Sequence, residues 1–139
     1  MSVTEPTSLL LPAELHQRLL AHLRSTLPQE GCGLIACDAN GAVELFPGTN
    51  TDASETRYNM DLAEVVTAFN EIDRHDWRLG AIYHSHPQTP AWPSATDLSY
   101  AFYPDALMVI VSFAVDPPDL RAFRIDEEIT EVPVVVSDE

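Results

Sequence analysis

The sequence contains no lysine among its 139 residues, and this absence shapes its whole electrostatic character. All seven basic residues are arginines and face 22 acidic residues, which gives a formal net charge of −15. A surface this negative repels a phosphate backbone, so we expect no nucleic-acid partner. The excess of carboxylates fits either adaptation to high salt or an ordinary acidic composition, and the sequence leaves both open.

Long hydrophobic runs are also missing, and we expect no secretory leader. The longest apolar runs, at 106–111 and 132–136, are far shorter than the ~20 residues that a membrane-spanning helix needs. Residues 1–11 carry neither a basic segment nor a small-residue cleavage site. We therefore expect no membrane association and a cytoplasmic location.

Cysteine is scarce, with only Cys32 and Cys37 in the chain. Their odd separation within one predicted strand places the two side chains on opposite faces, which disfavours a disulfide between them. Free thiols are typical of a cytosolic protein. We interpret both as small buried hydrophobic residues, although Cys32 is close enough to Glu30 to line a site there.

The hydrophobic pattern predicts one α/β domain over residues 1–139, with a core from about residue 10 to 136. Residues 1–11 are expected to be a loose segment. Helical spacing of apolar residues predicts helices at 12–25 and 61–75, and a short helix from Ser94 to about 103–104. Strands are predicted at 33–37, 42–46, 79–85, 106–113, 120–125 and 131–136, the first two joined at an Asn-Gly turn.

His84 and His86 lie two residues apart at the end of a predicted strand. The period of two directs both imidazoles to the same side of the sheet, where they can meet one ion. A catalytic zinc site takes three protein ligands and leaves the fourth position to water. Asp97 is the candidate third ligand, because the proline-rich segment 87–93 forms a stiff loop that carries the chain to the start of the next helix.

A second interpretation of Asp97 needs no metal. Ser94-Ala95-Thr96-Asp97 matches a capping box, with Ser94 as N-cap and Asp97 as its N3 acid. Both interpretations can hold together. The other histidines are not placed as ligands: His16 and His22 lack ligand spacing, and His75 suits the end of a helix.

The segment His84-Ser85-His86-Pro87, the seven residues 87–93 and Ser94-Ala95-Thr96-Asp97 together resemble the metal motif of the JAMM (MPN+, Mov34/PAD-1) metalloproteases. Upstream, Pro28-Gln29-Glu30-Gly31-Cys32-Gly33-Leu34-Ile35 is similar to the stretch that carries the family's acidic residue in small bacterial and archaeal members. The resemblance spans residues 10 to about 113. It implies the MPN fold, a single domain with a mixed, curved β-sheet and flanking helices in a cytidine-deaminase-like architecture.

The resemblance implies that His84, His86 and Asp97 ligate zinc. It also implies that Glu30 holds the attacking water as general base and that Ser94 stabilises the tetrahedral intermediate. By its own sequence context Glu30 is one of eleven glutamates, so its assignment depends on the resemblance. The family's activity implies hydrolysis of the amide bond at the C-terminus of a ubiquitin-like or sulfur-carrier protein. The oligomeric state is not specified.

Several residues near the motif have less specific interpretations. Ser85 should face away from the ligands and form a core hydrogen bond, while Tyr83 and Trp92 are read as packing rather than substrate recognition. The long loop after the hairpin is the kind of segment where binding residues gather, and it contains Asn50, Arg57 and Tyr58.

Two alternative functions remain open from sequence. One is a scaffold or binding module of the same fold that has lost catalysis. The other is a zinc hydrolase of small amides or of amino-acid adducts of a carrier protein.

Overall fold

The computed structural model describes residues 8–99, 103 and 105–138. Within them the chain forms, in order, β1 (Leu9–Pro12), α1 (Ala13–Thr26), β2 (Cys32–Asp38), β3 (Gly41–Pro47), α2 (Leu62–Arg74), β4 (Arg78–His86), α3 (Ala95–Ser99), β5 (Leu107–Ser112), β6 (Asp119–Ile125), β7 (Ile129–Val132) and β8 (Val134–Ser137). None of the described helices is both long enough and apolar enough to cross a bilayer.

Six of the strands form one mixed sheet in the order β3-β2-β4-β5-β6-β7. Only β4 and β5 run parallel within it, and the other neighbours are antiparallel. Strands β1 and β8 form a separate parallel pair. The expected mixed α/β sheet with flanking helices is therefore confirmed.

Helix α1 covers one face of this sheet with a leucine stripe. Leu15, Leu19 and Leu23 recur at helical spacing and are buried. They join the main hydrophobic core, which also contains Ile35 and Val109 from β2 and β5. Burial of this stripe explains why a 14-residue segment forms a stable helix here.

Strand β4 lies in the interior of the sheet, with β2 on one side and β5 on the other. Tyr83 belongs to the core under α1. Because side chains alternate along a strand, Ser85 shares that face while His84 and His86 point to the opposite face. In the sheet register His84 lies opposite Cys32 of β2 and Ile110 of β5.

The first residues of the described chain differ from the expectation of a loose segment. Leu9 and Leu11 are buried and Leu10 is exposed, which is the alternation of a strand. The partner of β1 is β8, at the far end of the chain, so no local pattern marks the pairing. This expectation was wrong for residues 9–11.

The strand predicted at 131–136 is divided at Pro133. Proline has no N–H to donate to a ladder, so the chain leaves the main sheet after β7 and pairs with β1 through β8. The other predicted strands and the first two helices are confirmed to within two residues. The predicted continuation of α3 toward residue 104 falls largely outside the described residues.

Replacing Leu19 by alanine should lower the free energy of unfolding by about 2–5 kcal/mol, because the buried leucine leaves a cavity in the core under α1. Leu62→Ala is the matched control, since Leu62 is 74% exposed in α2 and should change stability by less than about 0.5 kcal/mol. Urea unfolding of both variants checks this. Equal losses in the two variants would contradict the packing described.

Candidate metal centre

The predicted ligands converge at one end of β4. His84 and His86 leave the strand on the same face, and Asp97 lies in the first turn of α3. All three side chains are buried, with at most 4% of each residue exposed. Their ligand atoms lie within 4.8 Å of one another.

The distances between these atoms match the geometry of a tetrahedral ion. His84 Nε2 is 3.1 Å from Asp97 Oδ1, and His86 Nε2 is 3.0 Å from Asp97 Oδ2. The two Nε2 atoms are 3.2 Å apart. Donors that each lie about 2.0–2.1 Å from a tetrahedral zinc are separated by about 3.3 Å. Each of the three measured distances is close to that value, with a different Asp97 oxygen facing each imidazole, so the donor set is compatible with such an ion.

A carbonyl of the proline-rich loop orients His86. Its Nδ1–H donates to the Pro90 carbonyl at 2.8 Å, which directs the Nε2 atom toward Asp97 and His84. His84 is held differently, because its Nδ1 is buried and no group in the described part of the chain forms a hydrogen bond with it. Tyr58 stacks on the His84 ring instead, at 4.8 Å between centroids and 27° between planes.

Asp97 also closes the predicted capping box. Ser94 N–H donates to Asp97 Oδ2 at 2.9 Å, and Asp97 N–H donates to Ser94 Oγ at 3.0 Å. The capping interpretation is therefore confirmed, and the same carboxylate faces both imidazoles. Because Ser94 Oγ accepts in this pair, its own proton remains available for donation.

The three groups have different protonation tendencies. Burial lowers the pKa of His84. Burial also opposes the charged form of His86, but hydrogen bonds to Asp97 and Pro90 outweigh it and raise that pKa. Burial alone would raise the pKa of Asp97, yet its hydrogen bonds with both histidines hold it far below the usual range. Asp97 is thus anionic at any working pH, which suits a cation in this position.

Glu30 lies just before β2 and is 3% exposed. Burial, helped by the charge of Asp97 and opposed by His86, raises its pKa to about 7. Its Oε1 atom is buried and has no hydrogen-bond partner among the residues that the structure describes. A carboxyl that titrates near neutral pH and interacts with the charges of His86 and Asp97 has the properties of a general base.

The neighbouring residues mostly follow their sequence interpretations. Ser85 accepts a core hydrogen bond from Gly31 N–H, and Tyr83 OH pairs with His22 Nδ1 at 2.8 Å inside the protein. Cys32 faces the site beside His84, where burial raises its pKa to about 12 and keeps it a neutral thiol. Cys37 lies in the opposite core, and both cysteines are free, as expected.

Residues from the long loop were not marked by any spacing, yet two of them contact the site. Tyr58 covers His84, and Asn50 Nδ2 donates to the Glu30 carbonyl at 3.0 Å. Arg57 pairs with Asp52 on the surface. Trp92 is half exposed and packs edge-on against Phe123, in agreement with the packing interpretation.

The raised pKa of Glu30 predicts that the free energy of unfolding of the zinc-free protein depends on pH. Because the folded state holds this proton more tightly than the unfolded state, stability should be lost as pH rises from 4.5 to about 7. Glu30→Gln removes this cost, so its stability relative to wild type should grow by up to about 3 kcal/mol over that range. Denaturant unfolding after chelation measures it. The exposed Glu14→Gln control should track wild type, and a pH-independent difference for Glu30→Gln would contradict the raised pKa.

Comparison with known families and proteins agrees with this geometry. Residues 12–126 match the family described as prokaryotic homologs of the JAB domain. A CysO-cysteine peptidase of Mycobacterium tuberculosis is 38% identical over 133 residues, which covers 92% of this chain and 90% of the relative. A probable TtuB-protein conjugate cleaving protease of Thermus thermophilus is 35% identical, with 92% and 82% covered. A desampylase of Haloferax volcanii is 33% identical, with 73% and 78% covered.

Solved structures support the same assignment. A protein from Desulfitobacterium hafniense is 32% identical with a TM-score of 0.84, and 94% of each chain is covered. A JAB1/MPN domain protein from Archaeoglobus fulgidus shares the fold, with a TM-score of 0.61 at 20% identity over 92% of this chain and 99% of the other. The chain therefore belongs to the prokaryotic JAB-domain family, as its resemblance to the JAMM metalloproteases led us to expect.

Proposed function

We propose that this chain is a zinc-dependent metallopeptidase that hydrolyses the amide bond at the C-terminus of a ubiquitin-like or sulfur-carrier protein. The observation that carries the proposal is the convergence of His84, His86 and Asp97, whose ligand atoms lie within 4.8 Å of one another, with the titratable carboxyl of Glu30 nearby. Family membership and the peptidase relatives make the chain a hydrolytic enzyme of the JAMM type.

In this proposal His84 Nε2, His86 Nε2 and Asp97 hold the zinc ion. Two neutral imidazoles and one carboxylate form a donor set that suits zinc in hydrolytic sites. The ion, when bound, supplies a Lewis acid that activates water and polarises a carbonyl.

Glu30 transfers the proton, and Ser94 stabilises the negative charge that develops on the substrate. Water adds its oxygen to the amide carbonyl carbon while Glu30 accepts one of its protons. When the C–N bond breaks, Glu30 returns that proton to the leaving amine. The Ser94 hydroxyl donates to the carbonyl oxygen as negative charge develops there, an interaction whose loss costs about 3 kcal/mol of barrier in comparable sites.

The substrate class is supported by the names of the relatives. They describe a peptidase for CysO-cysteine, a protease that cleaves TtuB-protein conjugates, and a desampylase. The net charge of −15 favours a protein substrate over a nucleic acid. We also propose a cytoplasmic location, which the two free buried thiols support.

Cleavage of defined conjugates tests the activity. Zinc-loaded protein should release lysine, cysteine or a peptide from the C-terminal glycine of a ubiquitin-like carrier. Glu30→Gln should keep its zinc yet lose at least about a hundredfold in turnover, because the ligands remain while the proton acceptor is gone. Single-turnover assays with metal analysis measure both quantities, and Glu14→Gln is the matched exposed control.

The same experiment separates the alternatives. Full activity in Glu30→Gln would remove this residue from the mechanism. Absence of zinc from the purified wild-type protein would favour a scaffold module. Cleavage of small amides with no action on any conjugate would favour a small-amide hydrolase.

Two substitutions at Asp97 separate its role as ligand from its role as cap. Asp97→Asn keeps an oxygen that can accept from Ser94 N–H, whereas Asp97→Ala removes both functions. If Asp97 is a ligand, both variants should bind zinc at least about tenfold more weakly than wild type, in a competition assay with a chelator. Zinc affinity unchanged in Asp97→Asn and Asp97→Ala would leave Asp97 as a helix cap alone.

A further inference from the structure

The main chain at Glu30 and Gly31 is held by side chains from two distant segments. Gly31 N–H donates to Ser85 Oγ at 2.8 Å, and Ser85 N–H donates back to the Gly31 carbonyl at 3.1 Å. On the other side, Asn50 Nδ2 donates to the Glu30 carbonyl at 3.0 Å. Glu30 N–H donates to the Ser54 carbonyl at 2.8 Å. All four main-chain polar groups of these two residues are therefore bonded.

The Glu30 carboxyl differs from this backbone in how its position is set. Within residues 8–99, 103 and 105–138, its buried Oε1 atom has no hydrogen-bond partner. Its direction must therefore be set by the backbone from which it extends and by packing around it. The backbone here passes close to α1, where a Cβ on Gly31 would lie 2.6 Å from Thr26 Oγ1, so position 31 has no room for a side chain.

Ser85 links this backbone to the imidazoles. It lies between His84 and His86 in β4 and is fully buried. Its side chain points to the face opposite theirs, so it has no access to a substrate at the metal centre. Ser85 instead contacts Gly31. Residues 84–86 of β4 therefore position both imidazoles and the peptide group next to Glu30.

Asn50 links the same backbone to the loop that covers His84. Its Oδ1 accepts from Asp52 N–H at 3.1 Å and from Asn59 N–H at 3.0 Å. Its Nδ2 donates to the carbonyls of Glu30 and Arg57, each at 3.0 Å. One amide thus closes the loop that places Tyr58 on His84 and attaches that loop to Glu30.

We propose that Ser85 and Asn50 are positioning residues that fix the Glu30 carboxyl relative to His84 and His86. The proposal rests on the proposed function for its kinetic consequence, because Glu30 must be the proton acceptor for its position to affect turnover. Neither residue touches the reacting atoms. Each acts through the backbone of Glu30 and Gly31.

Steady-state kinetics on a cleavable conjugate tests the proposal. Ser85→Ala and Asn50→Asp should each lower kcat by about ten- to a hundredfold, with KM and zinc affinity within about twofold of wild type. Asn50→Asp retains the two accepting contacts and loses both donated contacts, to the Glu30 carbonyl and to the Arg57 carbonyl. Ser85→Thr keeps a hydroxyl in the same place and should recover most of the turnover that Ser85→Ala loses.

Asn59→Asp is the matched control for the added charge. Asn59 is an exposed residue of the same loop, so this variant should retain wild-type turnover. A loss of turnover equal to that of Asn50→Asp would overturn the proposal for Asn50. Wild-type kcat in Ser85→Ala, or a loss explained fully by lost zinc, would overturn it for Ser85. If Ser85→Ala does not fold, Asn50→Asp still decides whether the hydrogen bonds to the Glu30 and Gly31 backbone affect turnover.

Amide hydrogen exchange gives a second readout that needs no substrate. In ¹⁵N-labelled protein the Gly31 amide should exchange at least about tenfold faster in Ser85→Ala than in wild type, while Ser85→Thr retains protection. Unchanged exchange of this amide in Ser85→Ala would contradict the contact itself. If wild type cleaves no conjugate, the proposed function fails, and the exchange result still decides whether Ser85 holds Gly31.

Discussion

The pairing of β2 with β4 is the constraint on which the site depends. Its register places Cys32 opposite His84, and the contact between Gly31 and Ser85 continues the pairing past the end of β2. Because side chains alternate along a strand, a slip of one residue would turn both histidines into the core under α1 and Ser85 toward the site. The hydrophobic cores on the two faces of the sheet resist that slip. The same strand register therefore determines both the packing of leucines under α1 and the positions of the metal-binding side chains.

Two buried carboxylates in this site have opposite electrostatic environments. Asp97 receives hydrogen bonds from both imidazoles and from the Ser94 amide, and these hold its pKa far below the usual range. Glu30 has a carboxyl oxygen that no described residue hydrogen-bonds, and burial raises the pKa of this carboxyl to about 7. The permanently charged group is thus suited to bind a cation, and the titratable group is suited to move a proton.

The sequence predicts those parts of the site that depend on local spacing. The period of two aligns His84 with His86, and the offset of three pairs Ser94 with Asp97 in a capping box; the structure contains both arrangements. Glu30 could be named only through the family resemblance, because its proximity to the ligands arises from a sheet contact across 54 residues. The same limit explains why β1 was missed, since its partner β8 lies at the other end of the chain. The stacking of Tyr58 on His84 depends on a loop path that no residue pattern encodes.

We propose that His84 and His86 from one strand and Asp97 from one helix turn bind a single zinc ion, without a thiolate from Cys32. X-ray absorption at the zinc edge of the purified protein tests this most directly. We predict one zinc per chain in a four-coordinate shell of nitrogen and oxygen at about 2.0–2.1 Å, with the outer scattering of two imidazoles. A sulfur neighbour at about 2.3 Å, or a shell without imidazole scattering, would contradict the claim.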